Sequence, residues 1–425
     1  MKFSALLDVN VVALEAEDEV TVLLDLEAPT VASDHARAQA SLEVVLDRSG
    51  SMTGAAIEGA KQALTALVRR LDPTDNFGLV IFDDTADVVV PAGALSDKSQ
   101  VIAAISRVET RGMTDLSAGY LRALREIRRV TTTGGTVLII SDGHVNAGIR
   151  TADEFASVTA TAYADGLVTS TLGYGRGYDE TLLTAIARAG SGNHVFADDP
   201  DAAGAAIAGE VDGLLNKVVQ GVSLTIAFEP AVQFLRLYND LPTHQLADGR
   251  VVVELGDFYA EEGRKLLLKF KVPSMATLGT ASIVHLELAY VELPALVEHV
   301  ATLPINVNVV PGDEAAGRVP HPTVHSEMLF QEAQDAKRRA SEAFERGDLA
   351  TGQQYLDDTK ATLQRAIDVA PAAVADEMRT ELADVGTMQV MSAQMGAPYM
   401  SKVSRDSYHS MNRKRGRRSR RPHDE

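Results

Sequence analysis

The chain reads as an α/β domain with a doubly wound sheet, inserted into an all-β sandwich and followed by a C-terminal helical hairpin. Three patterns carry this reading. Between residues 41 and 218, continuous apolar runs alternate with amphipathic helical stretches, as in a parallel sheet covered on both faces. On either side of that region, apolar residues fall at every second position, as in strands with one buried face. Beyond residue 326 the apolar period lengthens to that of helices.

Residues 1–36 supply the first strands: Val20, Val22, Leu24 and Leu26 alternate with Thr21, Leu23, Asp25 and Glu27. They are too few to bury a core alone and need partners from elsewhere in the chain. Residues 40–218 form the α/β domain. Its strands are expected at 42–46, 77–82, 86–90, 136–140 and 168–172, the second and third joined as a hairpin about Asp83-Asp84-Thr85. Its helices are expected at 56–70, 97–107, 116–129, 152–165, 179–189 and 200–218. The β period returns over 219–311, with alternating runs led by Val222, Leu266, Val284 and Leu303, and the strands of 1–36 are expected to complete that sandwich. Residues 311–322 read as a Pro-containing linker. Residues 326–395 carry a helical hairpin that turns at Arg346-Gly347-Asp348, then a further helix after Pro371. This pair is reminiscent of a tetratricopeptide unit, but one repeat cannot build a solenoid. From 396 the chain turns polar and then basic, and a disordered tail over 396–425 is expected.

Composition narrows the function. The 425 residues include no cysteine, which excludes disulfides, Cys-ligated zinc and thiol catalysis. No run of about 18 apolar residues occurs, and the N-terminal segment meets charge too early for a signal peptide, so a cytoplasmic protein is expected. Net charge is −19, unevenly spread. From Lys402 onward nine Lys/Arg face three Asp/Glu, so the first 401 residues carry −25. An acidic body argues against nucleic acid as the main ligand, because such binding neutralises phosphates.

Ligands of a doubly wound sheet gather at the C-terminal ends of its strands. Three groups of oxygen donors fall there. Asp47, Ser49 and Ser51 follow the first strand in Asp47-Arg48-Ser49-Gly50-Ser51. Thr114 lies in Arg111-Gly112-Met113-Thr114-Asp115-Leu116, just before a helix. Asp142 follows the 136–140 strand in Ser141-Asp142-Gly143. Two carboxylates and three hydroxyls, completed by water, suit octahedral Mg²⁺, and Mn²⁺ or Ca²⁺ are close alternatives.

These three motifs, in this order and spacing, resemble the metal-ion-dependent adhesion site of von Willebrand factor type A (VWA) domains, whose core is Rossmann-like. The resemblance spans about residues 40–218. It implies that Asp47, Ser49 and Ser51 are metal ligands, that Thr114 binds directly or through water, and that Asp142 binds mostly through water. Asp115 is not implied as a ligand. Gly173-Tyr174-Gly175, Leu182-x-x-Ala185-Ile186-Ala187 and Gly190-Ser191-Gly192 are similar to the late part of these domains. Met113 stands where the family often has a small residue. The wider layout, with Gly263-Arg264-Lys265-Leu266-Leu267 and C-terminal helices, resembles multidomain VWA proteins of bacteria and, more loosely, the inter-alpha-trypsin-inhibitor arrangement.

Blander and rival readings compete with this one. Asp47 and the serines alone could cap the next helix. A phosphoester hydrolase using Asp47 and Asp142 would resemble haloacid-dehalogenase-like phosphatases, but those need an acid two residues after the first Asp, where Ser49 stands. Gly173-x-Gly175-x-Gly177 has its third glycine misplaced for dinucleotide binding. The ten histidines, His144 among them, make no H-E-x-x-H. Met388, Met391, Met395 and Met400 read as packing of a terminal helix. The basic run Arg413-Lys414-Arg415-Gly416-Arg417-Arg418-Ser419-Arg420-Arg421 can contact acidic surfaces, without the aromatic interleaving of specific nucleic-acid binding. The expectation is a non-enzymatic, Mg²⁺-dependent module that binds a protein partner through an acidic side chain, with no small-molecule substrate. The resemblance suggests an AAA+ ATPase or a component of a larger assembly as that partner.

Overall fold

A computed structural model describes residues 1–30, 39–131, 134–142, 145–175, 178–197 and 199–412. The chain divides into two units: Val31–Gly221 with Leu293–Leu296, and the remainder, Met1–Thr30, Val222–Glu292 and Val297–Glu425. The α/β domain is therefore an insertion between two parts of one unit.

The chain opens with β1 (Lys2–Leu7), β2 (Val11–Ala13) and β3 (Asp18–Glu27). The inserted domain follows: β4 (Ser41–Asp47), α1 (Ala55–Arg70), β5 (Asn76–Phe82), β6 (Ala86–Ala94), α2 (Lys98–Ser106), α3 (Leu116–Ile127), β7 (Gly135–Ser141), α4 (Ala152–Ala164), β8 (Leu167–Tyr174), α5 (Glu180–Ala189), β9 (Ser191–Ala197) and α6 (Pro200–Leu215). Its sheet runs β6-β5-β4-β7-β8-β9, with β5 and β6 antiparallel and the other pairs parallel. Strand alternation sorts the core. Leu42, Val44 and Leu46 of β4 pack under Ile57, Leu64, Leu67 and Val68 of α1, with Ile105 of α2 and Ile207 of α6. Val45, Val80 and Ile139 face Tyr120, Leu124 and Ile127 of α3, with Phe155 of α4 and Ile186 of α5. Burying these side chains on both faces is the main stabilising term, at about 1.5–3 kcal/mol for each fully buried large aliphatic or aromatic group.

Beyond shifts of a few residues at element ends, two features differ from the sequence expectation. The helix expected over 200–218 stops at Leu215, and Lys217-Val218-Val219 already belong to the next strand. Ser191–Ala197 is an edge strand that no alternation announces. Gly192 runs so close to β8 that a Cβ would lie 2.1 Å from the Thr169 carbonyl, and Asn193 and His194 break the apolar run.

The other unit is built on two sheets. The later strands are β10 (Lys217–Phe228), β11 (Gln233–Leu237), β12 (Thr243–Gln245), β13 (Val251–Tyr259), β14 (Gly263–Val272), β15 (Gly279–Glu292) and β16 (Val297–Val310). One sheet is β1-β3-β14-β11 and the other β12-β13-β10-β15-β16-β2. β3 lies antiparallel to β14 over its whole length, from Glu27 opposite Gly263 to Asp18 opposite Val272. Phe228 of one sheet meets Phe270 of the other at 6.3 Å between ring centroids, so the sheets face each other across an apolar interior. Leu23 and Leu267 point outward and pack on Val324.

Val324 belongs to the helical region: α7 (Gly312–Ala316), α8 (Pro322–Glu345), α9 (Leu349–Val369), α10 (Ala372–Ser392) and α11 (Ala397–Asn412). The segment expected as a linker thus carries a short helix, with His321 capping the next. The expectation of a disordered tail from 396 is overturned for residues 397–412. They form a helix with Met400, Tyr408 and Asn412 buried. The reason is that its polar groups have protein partners instead of water. Asn412 Nδ2 donates to Gln331 Oε1 at 2.9 Å and to the Tyr238 carbonyl at 3.1 Å, and the Asn412 carbonyl accepts from Asn239 Nδ2 at 2.8 Å. The basic run from Arg413 lies outside the described residues. Among the described residues, no helix is long and apolar enough to cross a membrane.

Candidate metal centre

The site is assembled at the C-terminal edge of the central sheet. β4 is buried along its whole length and ends at Asp47, which delivers that carboxylate to the edge fully covered from solvent. The chain then turns through a short 3₁₀ segment, Gly50–Met52, before α1. Asp47 Oδ1 accepts from the Ser49 amide at 2.8 Å, and Asp47 Oδ2 accepts from Ser141 Oγ at 2.6 Å. Ser49 Oγ and Ser51 Oγ are 3.0 Å apart, and Ser51 Oγ donates to Asp142 Oδ1 at 2.9 Å. Four of the five residues expected at the site are therefore joined in one hydrogen-bonded chain, from β4 through the turn to the end of β7.

Thr114 reaches the same edge by a different route. Gly112 offers its carbonyl to the Gly50 amide at 3.3 Å, and Arg111 donates its amide to the Arg48 carbonyl at 2.8 Å. The Thr114 amide is held by Asn146 Oδ1 at 3.0 Å, and its carbonyl accepts from the Asn146 and Ala147 amides. Thr114 is buried. Asp115 is a helix cap: its Oδ1 accepts from the Ala118 amide at 3.0 Å and from Ser117 Oγ at 2.6 Å. Gly143 and His144 lie outside the described residues, as does Gly177.

Electrostatics show what the cluster lacks. Burial pushes the Asp47 carboxyl up, against the opposing hydrogen bonds from Ser141 and Ser49. Asp142 is pushed up to about 6, first by burial and then by the neighbouring Asp47, while Ser51 pulls the other way. Among the described residues, neither carboxylate has a Lys, Arg or His partner. Two acidic groups taken out of water without a counter-charge are costly unless a proton or a cation supplies it. The donor set is all oxygen, with hydroxyls beside the carboxylates, and thus fits a hard divalent cation. Three or more His/Cys/Asp/Glu grouped as a metal cage do not occur among the described residues, and this chemistry does not need them.

Residues without an assigned role in the sequence reading frame the site. Asp83, at the end of β5, is fully buried and pairs with Arg48 Nε and Arg111 Nε, each 2.8 Å from its Oδ2. Thr85 adds hydrogen bonds from its amide and hydroxyl to Asp83 Oδ1. Burial alone would raise this carboxyl, but those hydrogen bonds, Arg111's first, hold it well below the usual carboxylate range. Ser141 and Asn146 also belong to this frame. The available signal was position: Asp83, like Asp47, directly follows a continuous apolar strand.

Comparison with known proteins places the central part of the chain. Residues 42–206 match the family model of the von Willebrand factor type A domain. The protein YfbK of Escherichia coli (strain K12) is 28% identical over 195 residues, which are 45% of this chain and 34% of that protein. A protein of Synechocystis, sll0103, is 28% identical over 174 residues, 40% of this chain and 41% of its own. The chain thus spans between a third and about two fifths of the length of these relatives. Among solved structures, a von Willebrand factor type A protein from Catenulispora acidiphila superposes with a TM-score of 0.72 at 17% identity, covering 98% of this chain and 97% of that one. At such identity the likeness is one of fold.

Proposed function

From the premise that residues 42–206 form a von Willebrand factor type A domain, we propose that this domain is a protein-binding module whose contact is made through a divalent cation. Domains of this family generally mediate protein–protein interaction. The cation, Mg²⁺ by the donor chemistry, would be held by Asp47, Ser49, Ser51, Thr114 and Asp142, and an acidic side chain of a protein partner would complete its shell. The cation supplies positive charge and an open coordination position. The chain's own residues would fix the carboxylates, through the Ser49 amide and the Ser141 and Ser51 hydroxyls, and leave them without a basic partner among the described residues. The observation that carries this reading is the uncompensated pair Asp47 and Asp142, linked through Ser49 and Ser51. No observation favours the phosphoester-hydrolase alternative, since Ser49 occupies the position where a general acid is required. An AAA+ ATPase or a subunit of a larger assembly is the class of partner proposed.

The test uses the full chain. Mg²⁺ or Mn²⁺ at 100 times its dissociation constant should stabilise the domain by about 2.7 kcal/mol, read as a rise in thermal midpoint. Asp47→Ala should abolish that rise, and partners retained by the wild type should elute with a chelator. A wild-type midpoint indifferent to both cations would remove the proposal.

A further inference from the structure

Asp83 stands where three segments meet. Its backbone carbonyl accepts from the Asp115 amide at 2.6 Å, at the start of α3. Its carboxylate holds Arg48, which lies between the ligands Asp47 and Ser49, and Arg111, which lies three residues before Thr114. The Arg48 amide donates to the Phe82 carbonyl at 2.9 Å, and the Arg111 amide to the Arg48 carbonyl. Asp87, across the β5–β6 hairpin, accepts from both guanidinium groups. The approach is so tight that Gly112, at φ +72°, leaves no room for a side chain: a Cβ there would lie 2.7 Å from Asp84 Oδ1 and 3.0 Å from Asp83 Cβ.

The geometry points to Asp83 as a positioning residue that, through Arg48 and Arg111, locks the Asp47–Ser51 turn and the Thr114 loop into one register. This deepens the proposed metal site and rests on that reading. The physical argument is one of shared partners. Neither segment carries a basic side chain into the cation site itself. Both arginines are instead drawn to one buried carboxylate about which the two ligand-bearing backbones are fixed. Arg48 is almost wholly covered, so its exchange would disturb a buried ion pair and its packing along with the coupling. Arg111 is 61% exposed in its side chain, and Arg48 still pairs Asp83 when it is replaced, so its loss costs the fold less than that of Arg48 and isolates the positioning effect.

The experiment therefore compares wild type, Arg111→Gln, Arg111→Lys and Asp83→Asn in the full chain. Three readouts are taken: Mn²⁺ affinity by electron paramagnetic resonance, metal-free thermal midpoint, and metal-free amide hydrogen exchange. Arg111→Gln should weaken Mn²⁺ binding by about tenfold or more, with its metal-free midpoint close to wild type. It should also speed exchange in both segments, 48–51 and 111–115. Arg111→Lys should recover part of the loss, because it keeps the charge without the planar fork. Asp83→Asn should reproduce the loosening of both segments. Loosening confined to 111–115, or unchanged Mn²⁺ affinity in Arg111→Gln, would overturn the coupling. Failure of the wild type itself to bind Mn²⁺ would overturn the metal reading and this role together, and only that outcome touches the proposed function.

Discussion

Glu43 shows how one side chain can set a property of the whole inserted domain. It sits in the middle of β4, fully covered, and among the described residues neither carboxyl oxygen has a hydrogen-bond partner. Gly78 on the neighbouring strand makes room for it: a Cβ there would lie 2.0 Å from Glu43 Oε2. Burial, reinforced by Glu126 on α3, pushes the Glu43 carboxyl up to about 9. The folded domain therefore keeps this proton while the unfolded chain releases it near the ordinary value. Stability from the protonated group is fully present below that ordinary value and falls as pH rises towards 9. The slope is up to about 1.4 kcal/mol per pH unit, or about 3 kcal/mol at pH 7. Glu43→Met, which fills similar volume without a carboxyl, should be the more stable protein at pH 8. Its advantage over wild type should shrink towards pH 5 in urea titrations. A gap that does not change with pH would show that Glu43 is ionised in the folded state. At the same scale, Asp47 and Asp142 were readable as candidate ligands because each directly follows an apolar strand. Asp83 has the same address, but its role depends on Arg48 and Arg111, and no local pattern says that two arginines meet there.

Elements were read well where burial follows a period and poorly where it does not. β4, β5 and β7 are runs of apolar residues with helices on both faces, so pattern and burial coincide. β9 breaks the rule because Gly192 runs too close to β8 to carry a side chain and Asn193 and His194 interrupt the apolar run. α11 breaks it differently. Its sequence is polar, with four serines beside Lys402, Arg405, Asp406 and Asn412, yet Ser401, Ser404, Lys402 and Asn412 are buried. On α8, Lys337 is buried as well; it reaches Glu381 of α10 and donates to Ser407 Oγ of α11 at 2.8 Å. Such polar seams fix orientation more than they add stability, and a broken partner is expensive. Asn412→Ala should therefore destabilise the sandwich–helix unit by about 1–3 kcal/mol through the groups it strands, measured as a shift in denaturation midpoint. A neutral effect would mean that α11 contributes no more than its apolar contacts.

At the scale of the molecule, the proposed cation site and the polar seam of α11 lie on different units. Asp47 and Asn412 belong to different units and share no partner. Asp47→Ala and Asn412→Ala should therefore add in the double variant to within about 0.5 kcal/mol. The cation-dependent rise should survive in Asn412→Ala alone. A double variant departing from additivity by more than about 1 kcal/mol would show energetic coupling between the units. The sequence by itself determined the α/β, all-β and helical classes of the main regions and the insertion of the α/β domain, and it pointed to the candidate oxygen donors. Those features follow from local period, strand ends and residue chemistry, all of which are written in contiguous residues. Only the tertiary structure decided that four of these candidates form one linked cluster, that Asp83 ties its two loops together, and that residues 397–412 are helix. These depend on partners far apart in sequence, such as Ser51 with Asp142 and Asn412 with Tyr238. A polar side chain has the same local signature whether water or a distant partner satisfies it.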